Sequence, residues 1–163
     1  MYVDALSFLE DEREAWMPFE ALATLSDDEL QRPQPDEGPL HGWSGRDLMA
    51  HLSAVQQLAL EAARELAVND ASPTMDRVNA EWDAIGGDVV NARITEEWRA
   101  LPLEEVRRRF QSTPGELRGY LTVVPETRWL KDSDRLKSLL GNTTEHYADH
   151  LVELRAILTA AGR

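Results

Sequence analysis

The stretch "GNTTEHYADHLVELRAIL", residues 141–158, places His146 and His150 four positions apart in a segment with helical periodicity. Residues at this spacing lie on the same face of an α-helix, one turn apart. Apolar residues from Leu136 to Ile157 mark the buried stripe of this helix, and both histidines fall inside it. Buried imidazoles cost free energy unless their nitrogens find partners, so the pair needs a partner from elsewhere in the chain.

A second long helix is predicted from Ser44 to about Asn69, and it carries His51 on or beside its apolar face. Ser44 can cap the first turn, and Asp47 at the reciprocal position completes a pattern that resembles a capping box. His51 lies about 10 Å from the start of this helix, and the histidine pair lies roughly 20–25 Å from the start of the last helix. If the two helices are antiparallel and each is about 38 Å long, the three histidines lie at levels that coincide within about one turn.

Three neutral imidazoles that converge in this way form a nitrogen site of the kind that binds Zn²⁺, Ni²⁺ or another divalent ion. Two other interpretations of His51, His146 and His150 stay open at this point, namely surface polarity and hydrogen bonds within the core. The fourth histidine, His41, lies beside Gly42 in a loop and is expected to be solvated. Ligation needs neutral imidazoles, so metal affinity is expected to fall as the pH drops.

The rest of the chain has helical periodicity and no strand pattern, which predicts an all-α fold. Pro114 either kinks one long helix or begins a new one. The predicted architecture is a four-helix bundle in up-down-down-up order, forming one domain over residues 1–163 with a long helical crossover at about 70–102 that breaks at Gly86-Gly87. The long helices are predicted at about 2–25, at 44–69, from Pro102 onward, and at about 133–162.

Composition and charge restrict the classes of partner. The 163 residues include 30 acidic against 17 basic ones, a formal charge of −13 that would repel nucleic acid and anionic membranes. No apolar run is long enough to span a bilayer, and the N-terminal stretch does not resemble a secretory signal. The absence of cysteine excludes disulfides, thiolate metal sites and a cysteine nucleophile. We therefore expect a cytoplasmic protein that binds neither nucleic acid nor membranes.

Two segments resemble a known family. "HGWSGRDLMAHLSAV" (41–55) and "NTTEHYADHLVELRAIL" (142–158) are similar to the two histidine-bearing segments of the DinB/YfiT-like metalloenzyme superfamily, with the ClbS-like branch as the nearest resemblance. The resemblance implies a four-helix bundle of up-down-down-up order. It also implies that His51, His146 and His150 are the metal ligands, and it makes a homodimer plausible.

For function, the resemblance implies a metal-dependent enzyme that acts on a small electrophile, either by hydrolysis or by transfer of a low-molecular-weight thiol such as mycothiol or bacillithiol. The alternative is a non-catalytic bundle that sequesters a small molecule or uses the metal structurally. From the residues alone, Glu12 on the inner side of the first helix is a candidate base or outer ligand, against an outward-facing glutamate. Asn79 and Trp82 on the crossover are candidates for the mouth of a pocket that binds the substrate or thiol cofactor, against roles in core packing or at the surface.

Overall fold

The computed structural model describes residues 2–163, and within this range it is all-helical, as predicted. Every helix in these residues is too short or too polar to cross a bilayer. The α-helices are α1 (Ala5–Trp16), α2 (Asp27–Gln31), α3 (Gly45–Val68), α4 (Pro73–Ile85), α5 (Gly87–Arg99), α6 (Leu103–Val123), α7 (Ser133–Gly141), α8 (Thr144–Asp149) and α9 (Leu151–Ala160), with 3₁₀ segments at Met17–Thr24 and Glu126–Arg128.

The four long members of the bundle run up, down, down and up. Arg107 at the start of α6 donates to the Leu25 carbonyl after the first member, so α1 and α6 are antiparallel. Arg128, just after α6, donates to the Leu66 carbonyl near the end of α3, so α3 and α6 are parallel. The predicted topology is confirmed, with α4 and α5 forming the crossover between the two parallel helices.

The segment that carries the first histidine begins as predicted. Ser44 Oγ accepts from the backbone N–H of Asp47 at 3.3 Å, and Asp47 Oδ2 accepts from the backbone N–H of Ser44 at 2.8 Å. This capping box satisfies donors at the start of α3 and fixes where the helix begins. The predicted break in the crossover also forms, because Gly86 ends α4 with a φ of 82° that favours glycine.

Two predicted helices differ from those observed. The first member is not one α-helix from 2 to 25, because it changes to 3₁₀ geometry where Pro18 removes a backbone donor. The last member is broken twice, at Asn142–Thr143 and at His150, where the predicted helix was continuous. Pro114, for which the sequence left two alternatives open, lies inside the single helix α6.

The core consists of two apolar clusters with polar side chains between them. One cluster contains Trp16, Phe19 and Phe110, and the other contains Phe8 and Trp129. Four polar side chains lie between the two clusters along the helices, and we call them the polar layer. They form a hydrogen-bonded chain in the order Arg118, Glu12, Tyr147 and Gln56. This layer connects α6, α1, α8 and α3 through the middle of the bundle.

Candidate metal centre

The imidazoles of His51, His146 and His150 converge through their Nε2 atoms. His51 Nε2 lies 2.9 Å from His146 Nε2 and 3.0 Å from His150 Nε2. The three residues form a group that could hold a metal ion. Antiparallel packing of α3 against the last member of the bundle thus brings residues from distant parts of the chain to one point, at the level expected from the sequence.

The two breaks in the last member lie on either side of the six-residue helix α8. Thr143 has φ −134° and ψ −107°, outside the helical region, and its hydroxyl donates to the Leu139 carbonyl. At His150 the backbone N–H donates to the Tyr147 carbonyl at 3.1 Å, three residues back. This tighter turn separates α8 from α9, so His150 occupies the junction between them.

The outward-facing nitrogens of two histidines have partners of their own. His51 Nδ1 lies 2.8 Å from Thr95 Oγ1 on α5, and His150 Nδ1 lies 3.3 Å from Glu153 Oε1 on α9. The ring of Trp43 packs edge-on against the His51 ring, with centroids 5.3 Å apart. The crossover helix therefore contributes to the site through Thr95, although it carries none of the histidines.

Burial keeps His51 and His146 neutral. It is the larger of the causes that lower the pKa of His51 to about 2 and that of His146 to about 3, and the neighbouring histidines contribute the rest. The side chain of His150 is 16% exposed and His146 is half-buried, so the cluster is reachable from solvent. Neutral imidazoles are the form that metals bind, and a solvent-reachable site leaves room for a further ligand.

The donor set fits a divalent ion. Two nitrogens that bind an ion at about 2.1 Å are about 3.0 Å apart when the bonds are perpendicular and about 3.4 Å apart at the tetrahedral angle. The two distances from His51 Nε2, 2.9 and 3.0 Å, match the first case and are also the lengths of hydrogen bonds between imidazole nitrogens. Glu153 adds a second indication, because its buried Oε2 has no hydrogen-bond partner among the described residues. A cation bound to His150 would interact favourably with this carboxylate through the imidazole.

Glu12 is completely buried, so the outward-facing interpretation is wrong. Its carboxylate accepts from Tyr147 Oη at 2.9 Å and from Arg118 Nη1 at 2.7 Å, within the polar layer and not at the histidines. Burial raises the pKa of Glu12, and the bonds from Arg118 and Tyr147 oppose this rise. These contacts give Glu12 a clear place in the packing, and a role as base or outer ligand stays a prediction.

Asn79 and Trp82 line a cavity between α4 and α7 with a volume of about 500 Å³. Lys137 and Asn142 are on its other side, and none of the three histidines lines it. Asn142 lies four residues before His146 in the chain. This closeness in sequence is the link between the cavity and the histidine cluster. The assignment of this cavity to a substrate or thiol also stays a prediction.

Sequence reasoning missed Thr95 and Glu153. Glu153 follows His150 by three positions on the same helix face, and this spacing could have revealed it. Thr95 is 44 residues from His51, so no local pattern connects the two.

Comparison with known proteins gives a family match. The family model described as "Mycothiol maleylpyruvate isomerase N-terminal domain" matches residues 9–154, a range that contains all three histidines. Neither the curated proteins nor the solved structures give a significant match.

Proposed function

The chain belongs to the family of the mycothiol maleylpyruvate isomerase N-terminal domain, within the DinB/YfiT-like helical superfamily, and from this we propose that it is a divalent-metal-dependent enzyme that acts on a small electrophile. The reaction is either hydrolysis or the transfer of a low-molecular-weight thiol. The observation that carries the proposal is the convergence of three imidazole nitrogens at a point reachable from solvent.

His51, His146 and His150 would hold the ion, with Zn²⁺ or Ni²⁺ as the first choices for three imidazole ligands. When bound, such an ion supplies a Lewis acid that favours the deprotonated form of a coordinated thiol or water. The apolar packing of Trp43 against His51 limits the access of bulk water on that side. In this proposal the ion supplies the Lewis acid, and the protein binds the ion and orients the reacting groups.

Thiol transfer is the version of the proposal that the family name supports. The chain contains no cysteine, so a reacting thiol has to come from a second small molecule. We assign the binding of the substrate or thiol to the cavity between α4 and α7. Trp82 there is 46% exposed and offers an aromatic face, while Asn79 and Lys137 offer hydrogen-bonding groups.

The first experiment is metal reconstitution with Zn²⁺ or Ni²⁺, followed by metal analysis of the desalted protein. We expect about one ion per chain in the parent and almost none in the His51→Ala and His150→Ala variants, because three ligands are needed to hold the ion. The His41→Ala variant is the matched control, since His41 is exposed and outside the cluster. A parent that binds no stoichiometric metal would favour the non-catalytic bundle.

The second experiment tests catalysis with the metal-loaded protein. Mycothiol and maleylpyruvate, the two compounds in the family's name, are incubated with the parent and with His150→Ala, and thiol consumption and product are followed by chromatography. We expect turnover only in the loaded parent. Stoichiometric metal without turnover of these compounds or of a panel of hydrolysable and thiol-reactive electrophiles would support the structural or sequestering alternative.

A further inference from the structure

We propose that Thr95 is a positioning residue for His51. Its hydroxyl hydrogen-bonds to His51 Nδ1 in both tautomers of the ring, the one adopted without metal and the one adopted with it. The inference rests on the proposed metal site and goes beyond it, because it assigns a role to the crossover helix α5. Thr95 is 3% exposed and its Oγ1 lies 2.8 Å from His51 Nδ1. A hydroxyl can donate or accept a hydrogen bond, and the neighbouring histidines decide which of the two it does here.

Glu153 determines the tautomer of His150. His150 Nδ1 faces Glu153 Oε1 at 3.3 Å, and an ionised carboxylate only accepts hydrogen bonds. In the neutral imidazole, the proton of His150 is therefore on Nδ1, and Nε2 presents its lone pair to the cluster. Glu153 thus keeps His150 in the tautomer that a metal ion requires, whether or not an ion is bound.

The tautomer of His51 without metal follows from that of His150. His51 Nε2 lies 3.0 Å from the His150 Nε2 lone pair, and two lone pairs at that distance would repel each other. His51 therefore carries its proton on Nε2, where the N–H is shared with His146 Nε2 at 2.9 Å as a bifurcated bond. His51 Nδ1 is then an acceptor, so the Thr95 hydroxyl donates to it.

With a metal ion bound, the donor and acceptor roles of the Thr95 hydroxyl and His51 Nδ1 would be exchanged. Ligation needs the lone pair of His51 Nε2, so the proton on this nitrogen would go to solvent. His51 Nδ1 would take up a proton, and the ring would stay neutral. The Thr95 hydroxyl then accepts from Nδ1–H. Only a residue that can both donate and accept at this position satisfies the buried His51 in both states. Thr95 is therefore predicted to set metal affinity without touching the ion.

The test compares Thr95→Val, which keeps the shape but removes the hydroxyl, with Thr95→Ser, which keeps the hydroxyl. Thr113→Val is the control, because Thr113 is also 3% exposed but lies on α6 away from the cluster. Zinc affinity is measured by chelator competition at pH 8. We expect affinity to be weaker by about 10–100-fold in Thr95→Val, as for other outer partners of ligating histidines, with both other variants close to the parent. Equal affinity in the parent and Thr95→Val would overturn the proposal.

A second readout does not depend on metal binding. Long-range ¹H–¹⁵N NMR spectra of the histidine rings report which nitrogen carries the proton. In the metal-free parent we expect the His51 proton on Nε2 and the His150 proton on Nδ1, and zinc should move the His51 proton to Nδ1. A metal-free His51 protonated on Nδ1 contradicts the inference even if zinc binds. A parent that binds no zinc but has the expected metal-free tautomers instead contradicts the proposed function.

Discussion

The polar layer and the histidine cluster are neighbouring groups of buried polar side chains, and they differ in how their atoms are paired. Along the polar layer a donor faces an acceptor at each step, from Arg118 to Glu12 and from Gln56 to Tyr147 and on to Glu12. Gln56 Oε1 is the one buried atom left without a partner among these described side chains. In the histidine cluster, the single Nε2 atom of His51 faces the Nε2 atoms of both His146 and His150. Tyr147 adjoins both groups, because it lies between His146 and His150 in sequence and directs its hydroxyl to Glu12.

The difference separates two uses of buried polarity in one bundle. A chain of matched donors and acceptors is stabilised by the protein alone and contributes to the packing of its helices. A convergent set of nitrogens is best stabilised by a cation, which accepts several lone pairs at once. We therefore expect the two groups to respond differently to mutation, pH and metal.

Arg118→Met should have the largest effect on the metal-free protein. The variant leaves the buried Glu12 carboxylate without its cation, and we expect a loss of about 3–5 kcal/mol in the free energy of unfolding at pH 7, measured with urea. The loss should shrink as the pH falls toward the raised pKa of Glu12, because a neutral carboxyl needs no cation. Arg64→Met is the control, since its pair with Glu116 is exposed and should contribute less than about 1 kcal/mol.

Acidification should act mainly on the histidine cluster. His51 and His146 have pKa values of about 2 and 3 when folded, below their ordinary value near 6.5. The unfolded chain therefore binds more protons between these limits, and the folded state loses stability as the pH falls below about 6.5. We expect the metal-free parent to lose about 1–2 kcal/mol per histidine between pH 7 and 5, measured by urea unfolding.

The matched variant for this experiment is His51→Ala, whose stability should change less steeply over the same range. Identical pH profiles for the parent and His51→Ala would show that His51 does not titrate as the structure implies. Zinc affinity of the parent should fall over the same interval, because protons compete for the ligand nitrogens. An affinity that is constant from pH 8 to 5 would contradict ligation by three histidines.

Metal should stabilise the protein only through the histidine cluster. At a free Zn²⁺ concentration of 100 times the dissociation constant, an ion that binds only the native state adds about 2.7 kcal/mol to the free energy of unfolding. We expect this gain in the parent and in His41→Ala, its loss on adding a chelator, and no gain in His150→Ala. A gain of the same size in His150→Ala would place the bound ion elsewhere.

Tyr147→Phe should affect the polar layer without affecting the histidines. Removal of the hydroxyl leaves Glu12 Oε1 and Gln56 Nε2 without the partner that joins them, at a cost of about 1–3 kcal/mol in the free energy of unfolding. Zinc affinity should stay within about threefold of the parent, because the hydroxyl faces away from the site. A large loss of affinity would show that the two groups are energetically coupled.

Much of the fold and of the cluster could be predicted, because both depend on periodicity and local signals. The capping box at Ser44 and Asp47 and the four-residue spacing of His146 and His150 are local patterns, and helical rise gave the levels at which His51 meets the pair. The resemblance to the DinB/YfiT-like superfamily, confirmed by the family match, supported the same architecture.

The features that could not be predicted depend on tertiary contacts. The sequence placed Glu12 on the inner side of the first helix but left an outward-facing side chain open, because its burial depends on Arg118 and Tyr147, which lie on other helices. Thr95 acquires its role only when the crossover packs on α3. The break at His150 replaces a regular helical turn with a tighter one, and the apolar periodicity of the segment continues through it.

The polar layer also determines the axial register of the bundle. A slide of α1 by one turn, about 5.4 Å, would move Glu12 away from Tyr147 and Arg118 and into an apolar cluster, at a cost of several kcal/mol. Gln56 imposes the same restriction on α3. His51 lies five positions before Gln56, and Tyr147 is next to His146, so the register that the layer selects is also the one that brings the imidazoles to a common height.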